Sequence, residues 1–127
     1  MPPPPSLLLV DDDEHKRFFL ETCIRRQFGD AMIMHCTSGA EAIAHLAQQP
    51  VHAIVTNHSM HPVNGIELTR WVRARFPALP IVMVTGNPIV TREALQAGAS
   101  RVLSTADYPQ LGATLETLLS ENNGGAP

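Results

Sequence analysis

Three short, almost wholly apolar segments constrain the fold of this chain more than any other feature. They span residues 6–10, 52–56 and 80–85, and Val, Ile, Leu and Met dominate them. Strands of this composition are typical of a parallel sheet that helices cover on both faces. Residues 31–36 and 101–103 form two further strand-like segments. The sequence therefore predicts five strands.

Helical patterns fill the intervals between the predicted strands and follow the last one. In residues 13–28, helical spacing relates Phe18, Phe19, Thr22, Cys23 and Arg26 in an amphipathic stripe, and a second stripe runs from Ile66 to Phe76. A capping box at Ser38-Gly-Ala-Glu41 opens another helix. A short helix from Pro88 to Ala97 is closed by Gly98, and Asp107 is predicted to cap the last helix. Five βα units in this order imply right-handed crossovers and an α/β fold with a doubly wound parallel sheet.

Polar side chains follow three of the predicted strands at the point where each strand ends. Asp11 and Asp12 follow the first strand, Asn57 follows the third, and Thr85 closes the fourth. Ligands of doubly wound sheets bind outside the carboxyl ends of the strands. We therefore expect these four side chains to converge on one pocket. Asp13, by contrast, is interpreted as part of the polar start of the first helix.

Composition excludes several classes of protein. A chain of 127 residues is long enough for one buried core, and its net charge of −3 provides no basic field for nucleic acid or an anionic membrane. No apolar run is long enough for a transmembrane helix, and the N-terminus lacks the pattern of a secretory signal. A cytoplasmic location is therefore expected. Cys23 and Cys36 lack metal-type spacing and are interpreted as packed thiols.

The two ends of the chain differ in composition from the part between them. Four consecutive prolines predict an extended tail over residues 1–5, and residues 122–127 are interpreted as a flexible tail or a linker. The folded domain is predicted over residues 6–121. Because only the tail follows residue 121, we expect no DNA-binding output domain in this chain.

Four short motifs, in order along the chain, carry a resemblance to a known family. They are Leu8-Leu-Val-Asp-Asp-Asp13, the loop from Asn57 to Gly65 with Met60 and Pro62, Val84-Thr85, and Gln96-Ala-Gly-Ala99. Over residues 6–121 the chain resembles the receiver domain of bacterial two-component response regulators. The resemblance implies a flavodoxin-like (βα)5 three-layer sandwich with a parallel sheet of strand order 2-1-3-4-5.

The resemblance also implies a phosphorylation pocket, and this chain departs from it at several positions. In the family, an acidic pair holds Mg²⁺, an aspartate after the third strand accepts the phosphoryl group, a hydroxyl contacts that group, and a lysine after the fifth strand completes the site. The corresponding residues here are Asp11 and Asp12, Asn57, Thr85 and Thr105. The aromatic switch position carries Val102, and the proline after the lysine is replaced by Ala106.

The missing groups predict a degenerate pocket with no catalytic residue. An amide lacks the carboxylate oxygen that would attack phosphorus, so phosphorylation at Asn57 is not expected. The pocket is predicted to contain two carboxylates and no lysine. The resemblance assigns Asp11, Asp12 and Ser59 to a site for weakly bound Mg²⁺, if any cofactor binds. His58 and His61, three residues apart in the loop, leave a transition-metal site open as an alternative.

Three hypotheses for function follow. The first is a non-enzymatic signalling module of a two-component system or phosphorelay. It would act by contacts with a histidine kinase, a phosphotransfer protein or an output protein, and could form a homodimer through residues 88–121. The second is a conventional phosphoacceptor receiver in which Asn57 is engineered or deamidates. The third is a metal- or cofactor-binding protein of flavodoxin-like fold, although the acidic first loop would repel a phosphate-bearing cofactor.

Overall fold

The computed structural model describes residues 3–124, with side chains as far as Glu121. Five strands alternate with five α-helices along the chain. The strands are β1 Ser6–Val10, β2 Met32–Cys36, β3 Ala53–Thr56, β4 Ile81–Thr85 and β5 Arg101–Ser104. The α-helices are α1 Glu14–Gln27, α2 Gly39–Leu46, α3 Gly65–Arg75, α4 Thr91–Ala97 and α5 Leu111–Gly124, and short 3₁₀ turns precede α4 (Pro88–Val90) and α5 (Thr105–Gln110).

The five strands form one parallel sheet in the order β2-β1-β3-β4-β5, which confirms the predicted flavodoxin-like fold. The register places Val10 beside Thr56, and Thr56 beside Met83. The residues that follow β1 and β3 therefore emerge side by side. Since the strand order reverses direction between β1 and β3, this edge is the topological switch point at which such sheets bind ligands.

Helices cover both faces of the sheet, as the apolar strands require. Alternate residues of β1 face opposite layers: Leu7 and Leu9 pack with α1 and α5, whereas Leu8 and Val10 pack with α2 and α3. Met83 of β4 packs with α4 in a third, smaller cluster. Burial of these strands on both faces explains why their sequences do not alternate between apolar and polar residues.

Helix α1 is rotated relative to its predicted stripe. Its buried residues are Leu20, Cys23 and Ile24, while Phe18 and Phe19 remain 72% and 45% exposed. The prediction that the two phenylalanines belong to the buried stripe was therefore wrong. Asp13 is the N-cap of α1 and accepts a hydrogen bond from the backbone N–H of Lys16 at 3.2 Å, which confirms the interpretation of Asp13.

The starts of the other helices agree only in part with the predicted caps. Ser38 accepts from the N–H of Glu41 at 3.1 Å, but the Glu41 carboxylate returns to Thr37 instead of Ser38. A complete capping box, which the sequence analysis missed, opens α3 at Asn64 and Glu67.

Asp107 does not cap α5. It lies within the 3₁₀ turn that precedes this helix, and its carboxylate accepts hydrogen bonds from the side chains of Ser104 and Gln110. Helix α5 begins only at Leu111, after Pro109. The prediction of an Asp107 cap was therefore wrong.

One arginine ties the end of α3 to the turn between α4 and β5. Gly98 ends α4 with a φ of 116°, a left-handed conformation that favours glycine. The guanidinium of Arg73 donates twice to the carbonyl oxygen of Gly98, at 3.0 and 2.6 Å. It also donates to the carbonyl oxygens of Phe76, Pro77 and Leu79 at 2.8–3.0 Å. The C-terminal end of α4 is thereby held against the C-terminal end of α3.

The predicted domain limits of 6–121 stay a prediction. Pro5, within the predicted tail 1–5, accepts a hydrogen bond from the N–H of Met32 at 2.9 Å, and α5 continues to Gly124. Residues 1–2 and 125–127, the outer parts of the two predicted tails, lie outside the described residues. Within residues 3–124, no helix has the length and apolar character needed to span a bilayer.

Candidate functional site

The ends of β1 and β3 bring two of the predicted pocket residues into contact. The side-chain amide of Asn57 donates to Asp11 Oδ1 at 3.4 Å and to the carbonyl oxygen of Ser59 at 3.4 Å. A third side chain joins them, because Lys16 Nζ lies 3.3 Å from Asn57 Oδ1 and 3.5 Å from Asp11 Oδ2. Asp11, Lys16 and Asn57 therefore form one polar cluster at the carboxyl edge of the sheet.

Asp11 is the buried anion of this cluster. It is 1% exposed, and its Oδ1 also accepts from the backbone N–H of Asp13 at 3.0 Å. Among the described residues its Oδ2 has no hydrogen-bond donor, and the ammonium of Lys16 lies 3.5 Å from it. Burial raises the pKa of Asp11 above its ordinary value of 3.8, although the Asp13 N–H and the Lys16 charge oppose this shift. The negative charge of the buried Asp11 carboxylate thus depends on the ammonium of Lys16 for its compensation.

The other two predicted magnesium ligands contribute differently. Asp12 is exposed on the loop between β1 and α1. Ser59 offers its carbonyl oxygen to Asn57, and its side chain is exposed. Within the described chain, no group of three or more His, Cys, Asp and Glu side chains has the arrangement of a metal site. His58 and His61 are therefore not joined in such a group.

Lys16 belongs to this cluster although the sequence did not point to it, so the prediction of a pocket without lysine was wrong. It is the third residue of α1, and its side chain is 23% exposed. Helical side chains tilt towards the N-terminus of their helix, so a lysine in the first turn can reach back over the ends of the strands. The signal in the sequence was its spacing, three residues after the capping Asp13.

Gly65 brings the loop after β3 close to the start of α3. A Cβ at this position would overlap the carbonyl oxygen of Asn57 and lie 2.9 Å from the Cα of His58. The N–H of Gly65 donates to the carbonyl oxygen of His58 at 2.9 Å. The backbone around Asn57 is thus packed so closely that only glycine fits at position 65.

The β4 and β5 side of the pocket is less connected. Thr85 is 5% exposed, and its hydroxyl oxygen accepts from the backbone N–H of Asn87 at 3.1 Å. Thr105 is exposed, and its hydroxyl would meet a Cβ at Gly86 only at an ordinary 3.5 Å. Among residues 3–121, whose side chains are described, no hydrogen bond joins either threonine to the cluster of Asp11, Lys16 and Asn57. Val102 is half-buried and packs against the apolar cluster that contains Met83 and Ala94.

A chain of hydrogen bonds runs from Asp11 along the outer side of α1. Arg17 donates to the carbonyl oxygen of Asp11 at 2.6 Å and to Nδ1 of His35 at 3.2 Å. With Nδ1 as the acceptor, Nε2 of neutral His35 is the N–H donor to the Glu21 carboxylate. The His35 hydrogen bond and then Arg25, at 2.8 Å, lower the pKa of Glu21 below its ordinary value of 4.5. This chain fixes the backbone of Asp11 from outside the pocket.

A model of the response regulator receiver domain matches residues 7–111. Three solved structures illustrate the likeness. A CheY-like receiver domain protein from Methanospirillum hungatei JF-1 has a TM-score of 0.87 at 17% identity over 98% of this chain and 100% of its own. The signal receiver domain of an HD domain-containing protein from Pseudomonas fluorescens Pf-5 has a TM-score of 0.87 at 20% identity, with coverages of 98% and 93%. That of a signal transduction histidine kinase from Syntrophus aciditrophicus has a TM-score of 0.82 at 20% identity, with coverages of 92% and 91%.

At identities of 17–20%, the solved structures show only that the fold is the same. The family model shows to which family the chain belongs. A comparison with curated protein sequences gives no match. The fold is that of a doubly wound α/β domain, with polar residues at its topological switch point. The chain belongs to the receiver domain family of two-component response regulators. Members of this family act with histidine kinases or other signalling proteins and are generally not enzymes.

The family implies a bound Mg²⁺, and the residues of this pocket do not fit one as they stand. Mg²⁺ needs oxygen ligands at about 2.0–2.1 Å in octahedral geometry. Asp11 Oδ2 and Asn57 Oδ1 are two oxygens that such an ion could use, and the ammonium of Lys16 already contacts both.

Proposed function

We propose that this chain is a receiver-type signalling module that regulates a partner protein through surface contacts, without a phosphoryl group at residue 57. The observation that carries the proposal is the bonding of Asn57. Its amide nitrogen is directed at Asp11 and Ser59, and its carbonyl oxygen at Lys16. The nitrogen lone pair is delocalised and the oxygen is neutral, so neither atom is a nucleophile towards phosphorus.

The β4 and β5 side of the pocket supports the same proposal. A transferred phosphoryl group is stabilised by cations and hydrogen-bond donors that are already in place. Thr105 offers no charge, and the Thr85 hydroxyl is held by Asn87. Lys16, the cation that is present, contacts Asp11 and Asn57 from the opposite side. A phosphoryl group at residue 57 would thus lack the charged partner that the family places after β5.

Residues 88–121 are the surface that we propose for contacts with a partner or a second copy. Ile89 is 86% exposed and Leu95 is 47% exposed, both in the segment that leads into and forms α4. Exposed apolar side chains of this size can be buried when a partner binds. Val102 replaces the aromatic residue that couples pocket and surface in the family. A partner would therefore bind a surface whose conformation is set by the fold and not by phosphate.

Reaction with acetyl phosphate, followed by intact mass measurement, tests the absence of phosphorylation. The protein should gain no phosphoryl group. Asn57→Asp should gain a small fraction, and Asn57→Asp combined with Thr105→Lys should gain more, because the double variant restores both the nucleophile and the cation. A labile acyl phosphate on the unaltered protein would overturn the proposal and favour the conventional phosphoacceptor.

Two matched surface variants test the contact surface. Ile89→Asp introduces a charge on the α4 surface, and Phe18→Ser removes an exposed aromatic ring from α1. If a homodimer forms, light scattering should detect it for Phe18→Ser and not for Ile89→Asp. For a different partner, capture from the native cell followed by mass spectrometry should lose the same protein only with Ile89→Asp. Equal loss with both variants, or with neither, would contradict the assignment of residues 88–121.

A further inference from the structure

The position of the Lys16 ammonium is the starting point. It lies 3.5 Å from the unpartnered Oδ2 of buried Asp11 and 3.3 Å from Oδ1 of Asn57. Both are oxygens of the kind that a divalent cation at this edge of the sheet could use as ligands. We propose that Lys16 is a resident cation that takes the place of the divalent metal ion, so that the pocket is neutralised by the chain itself and does not bind Mg²⁺.

The ammonium and a metal ion exclude each other. An ion bound to Asp11 Oδ2 and Asn57 Oδ1 would lie about 2.0–2.1 Å from each oxygen, beside the ammonium that contacts the same two atoms. Two like charges at this separation repel, and Mg²⁺ also has to shed waters to enter. Metal binding would therefore require Lys16 to leave the buried carboxylate.

The start of α1 keeps Lys16 in this position. The Asp13 side chain caps the N–H of Lys16 and fixes the first turn, from which the lysine stem points back over the strand ends. A cation in the first turn is disfavoured by the positive end of the helix dipole. Asp11 offsets this cost, since its carboxylate is buried and Lys16 is the charge that faces Oδ2.

Asn57 is the side chain that fits between this anion and this cation. Its NH₂ group donates to Asp11, and its carbonyl oxygen accepts from Lys16. A carboxylate at position 57 could accept from Lys16 but could not donate to Asp11, and it would add a second negative charge. Asn57 and Lys16 thus complement each other. An amide in place of a carboxylate at residue 57 suits a pocket that is neutralised by Lys16.

Metal binding by three variants tests the proposal without any partner or phosphodonor, so it does not depend on the proposed function. Lys16→Met removes the charge and keeps most of the stem. Lys16→Arg keeps the charge. Arg26→Met removes one positive charge from an exposed position of the same helix, where no pocket residue is contacted. Binding of Mg²⁺ is measured by calorimetry, and Mn²⁺ by the paramagnetic broadening of amide signals at residues 11–13 and 57–59.

The unaltered protein, Lys16→Arg and Arg26→Met should bind neither ion at millimolar concentration. Lys16→Met should bind Mn²⁺ at least about tenfold more tightly, because one repulsive charge is removed from a site with a free buried carboxylate oxygen. Lys16 is the only lysine in the chain, so a single ¹⁵Nζ signal reports on it directly and should not shift when Mg²⁺ is added to the unaltered protein.

Two results would overturn the proposal. The first is broadening at residues 11–13 in the unaltered protein at the Mn²⁺ concentration that affects Lys16→Met. The second is no gain of binding in Lys16→Met. If Lys16→Met is unfolded at room temperature, Lys16→Gln replaces it, and the melting temperature with and without Mg²⁺ is the measurement. A melting temperature of Lys16→Gln that Mg²⁺ leaves unchanged contradicts the proposal in the same way.

Discussion

The pocket has two sides, and their polar side chains are held in different ways. On the side of β1, α1 and β3, Asp11, Lys16 and Asn57 contact one another within 3.5 Å. On the side of β4 and β5, the Thr85 hydroxyl accepts from the backbone N–H of Asn87, and Thr105 is exposed. The cation of this edge comes from α1, through Lys16. The comparison teaches that side chains from one half of the strand ends can form a connected polar cluster while those from the other half stay separate.

The largest expected loss of stability comes from changing one of two glycines that lie on opposite sides of the pocket. Gly65→Ala should lower the free energy of unfolding by about 3 kcal/mol or more, because the new Cβ would overlap the backbone of Asn57. Gly86→Ala on the other side meets only Thr105 at 3.5 Å and should stay within about 1 kcal/mol of the unaltered protein. Urea unfolding measures both. Similar losses for the two variants would mean that the two sides do not differ in packing.

The next effect concerns the charge on Lys16. Lys16→Met should lower the free energy of unfolding by about 2 kcal/mol in the absence of divalent cations, since buried Asp11 then lacks its cation. The value is set below that of a fully buried pair because the lysine is partly exposed. Arg26→Met serves as the control and should change stability by no more than about 0.5 kcal/mol. An equal loss in the control would assign the effect to the net charge of α1.

The loss of stability at acidic pH tests the hydrogen-bond chain along α1. The pKa of Glu21 is lowered in the folded state, chiefly by His35, so its contribution is complete above the ordinary value of 4.5 and is lost as pH falls through the folded pKa. Glu21→Gln should therefore lower the free energy of unfolding by about 1 kcal/mol at neutral pH. On acidification, this variant should lose less stability than the unaltered protein. Urea unfolding over a pH series is the measurement, and an unchanged loss of stability at acidic pH would contradict the role of Glu21.

The smallest effects belong to the threonines of the β4 and β5 side. Thr85→Val removes the acceptor of one backbone N–H, that of Asn87, and should cost at most about 1 kcal/mol. Thr105→Ala, at an exposed position, should change stability by less than about 0.5 kcal/mol. Thermal unfolding is sufficient for both. A loss for Thr105→Ala as large as that for Lys16→Met would show that the two sides of the pocket are coupled.

The sequence was sufficient for the fold because its strands are continuous apolar segments whose ends share one edge. The convergence of Asp11 and Asn57 follows from that topology alone. The contribution of Lys16 did not follow, because each residue of a helix rotates the side-chain direction by about 100°. The orientation of α1 is set by its start at Asp13, and the same rotation explains why Phe18 and Phe19 were wrongly placed in the buried stripe.

The hydrogen bonds from Arg73 have a consequence for signalling. Three of them join the guanidinium to the chain that follows α3, at Phe76, Pro77 and Leu79, and they need not break when α4 moves. The other two converge on the carbonyl oxygen of Gly98, so a partner that displaces the end of α4 must break both of these bonds. Because the remaining three bonds would keep the guanidinium in place, the contact with Gly98 could form again when the partner leaves.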